Sequence, residues 1–350
     1  MRKAQTQNTA RGEGLQPLTY AWLTLLTLGT VLLCVSVGSV AIPPEDALRA
    51  IWDALLGRPP APGMAATIAA GIRLPRVLGV ALVGAALSVS GAAMQGLLRN
   101  PLADGSTLGV SSGASLGAVL ALAFGFSVPG LPRLGVMGMA MLFAFLSLLL
   151  ILGLAWRVDR SLSTQTIILI GVIYGMFINA LMSLVIAFSG EKLRSVTFWT
   201  MGSLASTSSR EVAIMALALL PGAALIWLQA RELNAFAVGE DNARSIGVDV
   251  RAVKLRILIA VAVLIGVSVA IGGSIGFVGL VTPHMLRLVV GPNHRRLIPA
   301  TLFGGAIFLM LADLLARTLL SPLELPLGVV TSLVGAVVFV SLFLRQRRAA

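Results

Sequence analysis

The sequence predicts an all-α polytopic membrane protein with about ten transmembrane helices. Hydrophobic residues make up 57% of the 350 residues, charged residues only 11%, and the mean hydropathy is +0.95. The apolar runs approach the roughly 20 residues that cross a hydrocarbon core about 30 Å thick. The predicted spans are 20–41, 77–98, 107–125, 135–156, 165–188, 210–230, 254–273, 275–291, 297–317 and 327–344. Because the remaining loops are short, residues 1–350 are interpreted as a single membrane domain.

The first span follows a basic tail, residues 1–19, and is interpreted as an uncleaved anchor. Its apolar run, from Tyr20 to Ile42, is longer than the 7–15 apolar residues of a signal peptide. Cys34 lies within this span and is the only cysteine, which excludes a disulfide framework. We expect it to be a small buried hydrophobic side chain.

The basic residues predict the side on which each loop lies. With the N-terminus in the cytoplasm and the spans alternating, 17 of the 26 Lys and Arg residues fall inside and 9 fall outside. Cytoplasmic loops of membrane proteins carry this excess. Both termini are therefore expected in the cytoplasm, where the net charge of +12 suits anionic lipid headgroups and not nucleic acid.

Three segments between the spans are long enough to fold. In the outside stretch 42–76, Pro43 and Pro44 precede a predicted helix that ends before the proline-rich residues 59–63. The outside stretch 189–209 carries Phe198 and Trp199, which suit an interfacial helix. The inside stretch 231–253 is the most charged cytoplasmic loop.

Within 231–253 the sequence predicts a helical elbow. Gly239 permits a break, Glu240 suits the first turn of a short helix, and Gly247 stands where a C-terminal cap belongs. Ala243 and Ile246 are expected on one apolar face of that helix. Such an elbow is suited to docking into a groove of a partner. The alternative is a solvated loop whose charges lie at the lipid headgroups.

Small residues line faces of the second and third spans. Gly84 and Gly91 are seven residues apart, and Gly109, Gly113 and Gly117 follow at four-residue spacing. Faces of this kind let helix backbones approach closely, so we expect tight packing at both spans.

Two further patterns raise other functions. Residues 109–113 match G-x-S-x-G, which makes Ser111 a candidate nucleophile of an intramembrane serine protease, with His284 as the base that such a serine needs. No P-loop motif and no cluster of metal-binding residues is present, so the chain is expected to bind neither ATP nor a metal. Asp313 and Arg317 are the main charges within spans and are expected to pair. This scarcity of charge disfavours an ion-coupled carrier and leaves a passive channel or an external ATPase.

Eight segments together resemble the FecCD-type permeases over about residues 20–344. They are Arg73–Leu78, Ser90–Gly96, Arg99–Asp104, Leu108–Ala114, Gly239–Glu240, Gly276–His284, Ala312–Asp313 and Glu324–Thr331. The resemblance implies the type II ABC importer permease fold. It also places residues 109–113 in the family's third-span pattern, which accounts for them without catalysis.

The resemblance further implies a permease subunit that works by alternating access in the inner membrane of a prokaryote. Its partners would be a second permease copy, two ATPases that bind ATP and Mg, and an extracytoplasmic binding protein. An identical second copy is expected, and a heterodimer stays open. The cargo would be an iron-siderophore, chosen on family frequency, with haem and cobalamin as alternatives. The chain itself would be neither an enzyme nor a cofactor binder.

The family's functional positions transfer to this sequence in three groups. The coupling elbow that enters the ATPase would comprise Gly239, Glu240, Ala243, Arg244 and Gly247. The sockets for acidic residues of the binding protein would be Arg73, Arg76 and Arg317, with simple interfacial anchoring as the alternative for Arg73 and Arg76. The inner gate would comprise Asn100, Leu102, Thr164 and Gln165, where Gln165 departs from the small residue that the family pattern has.

Overall fold

The architecture comes from a computed structural model that describes residues 14–38, 40–59, 63–126 and 132–349. Each predicted span overlaps one helix: α1 Pro17–Ser36, α4 Leu74–Leu97, α5 Val110–Phe124, α6 Pro132–Val158, α7 Thr164–Ala187, α9 Ser209–Leu228, α12 Val250–Gly272, α13 Val278–Val290, α14 His294–Thr318 and α15 Leu327–Ala349. In the described part of the chain seven helices are long and apolar enough to cross a membrane. The helices α5 and α13 and the apolar part of α15 are shorter.

Five short helices lie between these spans: α2 Pro44–Leu55, α3 Met64–Ile68, α8 Leu193–Thr200, α10 Ala230–Phe236 and α11 Glu240–Ser245. The helices predicted after Pro43 and around Phe198 are therefore confirmed as α2 and α8. The elbow predicted in 231–253 is confirmed as α10 and α11.

The second span begins much earlier than predicted. Helix α3 continues through a π-helical turn, Ala69–Arg73, into α4, so that one helix runs from Met64 to Leu97 over 34 residues. The prediction began the second span at residue 77 and placed residues 42–76, which include Arg73, Pro75 and Arg76, outside it. In this wider π-helical turn the regular helical hydrogen-bond pattern changes just before Pro75, whose ring nitrogen has no hydrogen to donate. The arginines are tolerated because they are paired, as described below.

The α4 helix is the centre of the bundle. In the apolar stretch of Met64–Leu97, 89% of the residues are buried, whereas only 22% are buried in that of α7. Helix α14 makes the most extensive contact with α4, and α13, α9 and α12 also pack against it. A Cβ added at Gly84 would lie 2.3 Å from the carbonyl oxygen of Gly305, and one at Gly91 would lie 1.8 Å from that of Gly279. The glycines of the second span are therefore sites of backbone-to-backbone contact, as predicted.

The glycines of the third span bring α5 equally close to α6. A Cβ at Gly117 would lie 2.3 Å from the carbonyl oxygen of Met139, and one at Gly113 would lie 1.8 Å from Oγ of Ser147. The tight packing predicted for this face is confirmed.

A non-helical segment, residues 273–277, separates α12 from α13, in agreement with the two separate spans predicted at 254–273 and 275–291. It begins at Gly273, with φ of +69°, and ends at Phe277, a non-glycine residue in the left-handed region with φ of +68°. The amide of Ser203 donates to the last carbonyl of α12, at Gly272, over 2.8 Å. The segment therefore ends α12, and α13 begins inside the bundle, where Gly279 contacts α4.

Candidate functional site

The two ends of the bundle carry different features. The elbow end is the end at which α10 and α11 lie, and it also holds the turn between α6 and α7. The opposite end holds α2, α8 and the arginines predicted as sockets.

The backbone of the elbow follows the predicted geometry. Gly239 has φ of +124° and Gly247 has φ of +89°, so α11 is bounded on both sides by conformations that favour glycine. The amide of Ala243 donates to the carbonyl of Gly239 over 3.0 Å, and that of Val248 donates to Ala243 over 3.1 Å. These bonds hold α11 as a single compact turn outside the long helices.

The side chains of the elbow are arranged differently from the prediction. Ala243 is fully buried, whereas Ile246 is 74% exposed, so the two do not share an apolar face. Ile246 is the C-cap residue, where the chain leaves the helix and its side chain turns outward. Val238, just before α11, is 72% exposed. Sequence reasoning missed Val238, although an apolar residue next to each flanking glycine was visible.

The outward side of the elbow, here called the elbow surface, combines these apolar residues with charge. Arg244 donates through Nη1 to Oδ1 of Asp241 over 3.1 Å, and both side chains are solvent-exposed. The elbow surface therefore consists of Val238, Asp241, Arg244 and Ile246. Two apolar side chains around a charged pair form a protruding surface of the kind that a groove on another protein accepts.

Glu240 points inward and joins three parts of the molecule. Its Oε2 lies 2.7 Å from Nζ of Lys254 on α12, and its Oε1 accepts the hydroxyl of Thr164 at the start of α7 over 2.6 Å. Nζ of Lys254 also donates to the carbonyl of Leu162 over 2.9 Å. Lys254 has no solvent exposure, and the side chain of Glu240 is only 15% exposed. Both oxygens of this carboxylate are therefore engaged within the chain.

These contacts keep Glu240 ionised. Burial by itself would raise the pKa of this carboxyl, but the hydrogen bonds from Lys254 and Thr164 and the charge of Lys254 together lower it below its usual value. The carboxylate is thus the form that the surroundings stabilise.

The turn that receives Lys254, residues 159–163, is itself fixed by Asp159. Its Oδ1 accepts the amide of Ser161 over 2.8 Å, and its Oδ2 accepts that of Ser163 over 3.0 Å. Hydrogen bonds from both serines lower the pKa of Asp159 well below its usual range. Leu162 adopts the left-handed region, with φ of +53°, which directs its carbonyl to Lys254.

The structure brings one predicted gate residue to the elbow and leaves the others apart. Thr164 is buried and bonded to Glu240, whereas Gln165 is exposed. Oδ1 of Asn100 accepts the amide of Leu102 over 2.9 Å, and Leu102 is 55% exposed. The gate role of these four residues stays a prediction.

At the opposite end, Arg76, Arg73 and Arg317 are not the open sockets that we expected. Their residues are 8%, 6% and 4% exposed. Arg76 binds Asp313 through Nη2 over 2.9 Å and Glu324 through Nη1, also over 2.9 Å. A guanidinium that is buried and paired in this way joins α4, α14 and the segment before α15, and it has little free surface for another protein.

The other two arginines of this cluster hold the end of α1. Arg73 donates to the carbonyls of Val35 and Ser36 over 2.8 and 3.0 Å. Arg317 donates to the carbonyl of Cys34, and its Nε lies 3.5 Å from Oδ2 of Asp313. The predicted pairing of Asp313 with Arg317 is confirmed, but it is buried and not on a helix surface. Cys34 is also buried, as predicted.

Ser111, the candidate nucleophile, lines a cavity of about 230 Å³ near the centre of the bundle. Polar residues around it include Asp104 and Ser268, and the 273–277 segment forms one wall. His284 does not line this cavity and lies on α13 with its ring 5.8 Å from that of Phe339. Among the described residues no group of three or more metal-binding side chains occurs. This arrangement does not present a serine and its base together at one site.

An all-helical integral membrane protein with a rigid elbow at one end of its bundle has the layout of a transporter's membrane subunit, and comparison with known proteins specifies the class. The family model described as the FecCD transport family matches residues 25–345. This chain is therefore a member of the FecCD transport family, whose members are permeases of ABC transporters.

Individual relatives cover nearly the same region. The ABC transporter permease protein YvrB of Bacillus subtilis is 42% identical over 321 residues, which are 91% of each chain. The hemin transport system permease protein HmuU of Yersinia pestis is 43% identical and covers 79% of this chain and 83% of its own length. The vitamin B12 import system permease protein BtuC of Klebsiella pneumoniae is 41% identical over 93% of each.

The fold also matches a solved structure of a metal-chelate type ABC transporter in an inward-facing conformation. The TM-score is 0.82 at 32% sequence identity, and the match covers 94% of this chain and all of the other. The predictions that this chain belongs to the FecCD family and is an all-α membrane protein with that permease fold are thereby confirmed.

Proposed function

We propose that this chain is the membrane-spanning subunit of a binding-protein-dependent ABC importer for a metal chelate. The observation that carries the proposal is the elbow surface, which projects from the bundle and is backed by a buried ion pair. A rigid, partly apolar projection is what an ATPase subunit needs in order to move a membrane domain from one side. ATP and Mg would be bound by that ATPase and not by this chain.

The proposed orientation puts the elbow end in the cytoplasm of a prokaryotic cell, within the inner membrane. The excess of Lys and Arg on that side supports it. The binding protein would then dock at the opposite end. Since the three clustered arginines are buried there, the exposed Arg49 on α2 and Arg194 on α8 are the better sites for its acidic side chains.

The proposed transport path lies between two copies of this chain. The cavity at the centre of one copy holds about 230 Å³. Pockets for ligands of ordinary drug size have roughly 300–1,000 Å³, so a metal chelate needs more room than this cavity provides. A homodimer supplies such a path at its interface, and the broad exposed faces of α7 and α15 are available to form it.

For the cargo we propose a large metal chelate of the tetrapyrrole type, either haem or cobalamin, with a ferric siderophore as the alternative. Relatives that carry hemin and vitamin B12 transport names support the first class. Our sequence-based choice of a siderophore rested on family frequency alone. The three chelates differ in chemistry, so direct binding data distinguish them.

The test is purification of the chain from its native host in a mild detergent, with mass spectrometry of the proteins that accompany it. We expect an ATPase subunit and an extracytoplasmic binding protein, and the chelate bound by that protein identifies the cargo. ATP-dependent uptake of the chelate by proteoliposomes then completes the assignment. Recovery of this chain alone, or uptake that continues without ATP, would refute the importer in favour of a passive channel.

A further inference from the structure

The proposed transport function does not by itself explain why Lys254 is buried. It lies in the first turns of α12 with no solvent exposure, although an ammonium ion is costly to bury unless it is paired and hydrogen-bonded. Its Nζ has two partners on different elements: Oε2 of Glu240 in the elbow at 2.7 Å, and the carbonyl of Leu162 in the 159–163 turn at 2.9 Å. One ammonium therefore joins α11, α12 and the turn before α7.

Glu240 completes this arrangement. Its second oxygen accepts the hydroxyl of Thr164, the first residue of α7. Because each oxygen already accepts a hydrogen bond within the chain and the side chain is only 15% exposed, Glu240 presents little surface to an ATPase. Its place in the elbow is therefore internal, whereas Asp241 and Arg244 remain on the elbow surface.

We propose that Lys254 and the Glu240 carboxylate that it holds act as a positioning pair, which transmits movement of the elbow to the 159–163 turn through Leu162 and to the start of α7 through Thr164. The inference rests on the proposed function, since it assigns the route by which ATPase movement reaches the membrane helices. Short bonds to a buried charge are strong and directional, so α11 cannot shift by an ångström without either losing them or carrying its partners along. The 159–163 turn is stiffened by Asp159 and therefore follows the elbow as a unit.

The functional test uses four variants in the assembled transporter, reconstituted in proteoliposomes with its ATPase and binding protein. Lys254→Met removes the ammonium but keeps the length of the side chain. Thr164→Val removes only the hydroxyl at nearly constant shape, and Thr164→Ser restores it. Arg256→Met, at an exposed position on the same helix, is the matched control.

We expect Lys254→Met and Thr164→Val to lower the amount of chelate imported per ATP hydrolysed by roughly tenfold, within the range typical of coupling between sites. ATP hydrolysis itself should persist, and Thr164→Ser and Arg256→Met should keep the parental ratio. If Thr164 instead acted as a gate through the shape of its side chain, Thr164→Ser would lower the import ratio more than Thr164→Val does. A parental import ratio in Thr164→Val overturns the proposal, also in the case where Lys254→Met fails to assemble.

A second measurement needs neither ATPase nor transport and so separates this inference from the proposed function. Spin labels at exposed positions of the turn and the elbow, Arg160→Cys and Asn242→Cys, report the distance between them in the permease alone. The native Cys34 is buried at the opposite end and should label poorly. We expect a narrow distance distribution in the parent and in Arg256→Met, and a broad one in Lys254→Met. Equal widths would show that the buried ammonium does not hold the two elements together.

Discussion

Replacing Gly91 by alanine tests the close contact between α4 and α13. The added Cβ would lie 1.8 Å from the carbonyl oxygen of Gly279 and 2.6 Å from its Cα. Since a carbon and a carbonyl oxygen normally stay at least about 3.3 Å apart, the two helices would have to separate by roughly 1.5 Å. The opposing atoms belong to the backbone, so no side-chain rotation relieves the clash. We therefore expect a loss of about 3 kcal/mol or more, at the upper end of the usual cost of overpacking.

The measurement is thermal unfolding of the purified protein in detergent, with membrane accumulation as a second readout. A loss of this size lowers Tm by about 5 °C or more. The matched control is Gly138→Ala in α6, where an added Cβ meets no atom within 4 Å. Alanine is favoured over glycine by about 0.5–1 kcal/mol inside a helix, so this variant should be neutral or stabilising. If Gly91→Ala melts no lower than Gly138→Ala, the close contact that we describe is wrong.

Three further outcomes are expected. Arg76→Ala leaves Asp313 buried without its main partner and should cost about 3–5 kcal/mol in unfolding measurements, whereas Arg58→Ala at an exposed position should change little. The pKa of Glu240 is lowered on folding, so the stability that its anchoring contributes is fully present above its unfolded pKa of 4.5 and is lost as the pH falls through the lower folded value. The spin-label distance distribution should therefore be constant from pH 7 to about pH 5 and broaden only below that. Ile246→Ser should reduce co-purification of the ATPase subunit while leaving Tm unchanged, and retention of the ATPase would remove Ile246 from the docking surface.

The sequence was most informative where a local rule decides the structure. Long apolar runs located a helix at each of the ten predicted spans, and seven helices in the described part of the chain are long and apolar enough to cross a membrane. Gly239 and Gly247 bounded the elbow correctly, since positive φ values favour glycine. Glycines at close spacing likewise identified the faces of α4 and α5 that meet neighbouring backbones.

Side-chain direction could not be obtained in the same way. The family resemblance assigned Arg76 to a socket for the binding protein and Glu240 to the elbow that enters the ATPase, and both roles imply a side chain that faces a partner. Each is instead paired with a residue that is distant in the chain, Asp313 for Arg76 and Lys254 for Glu240. Such pairs depend on how helices far apart in sequence pack together, and a single sequence contains no direct record of that packing. The early start of the second span at Met64 was missed for the same reason.

The central position of α4 also dictates an order of events during synthesis. Arg76 precedes Asp313 by 237 residues. At a translation speed of about 5–20 residues per second, this arginine waits roughly 10–50 s before its carboxylate partner has even been made. For most of that interval the most enclosed helix of the finished protein has neither α13 nor α14 against it, because α13 begins only at Val278. Nascent chains must therefore pass through a stage in which this cationic, glycine-rich segment contacts the insertion machinery or lipid. That stage ends when the last third of the polypeptide has been synthesised and packs around it.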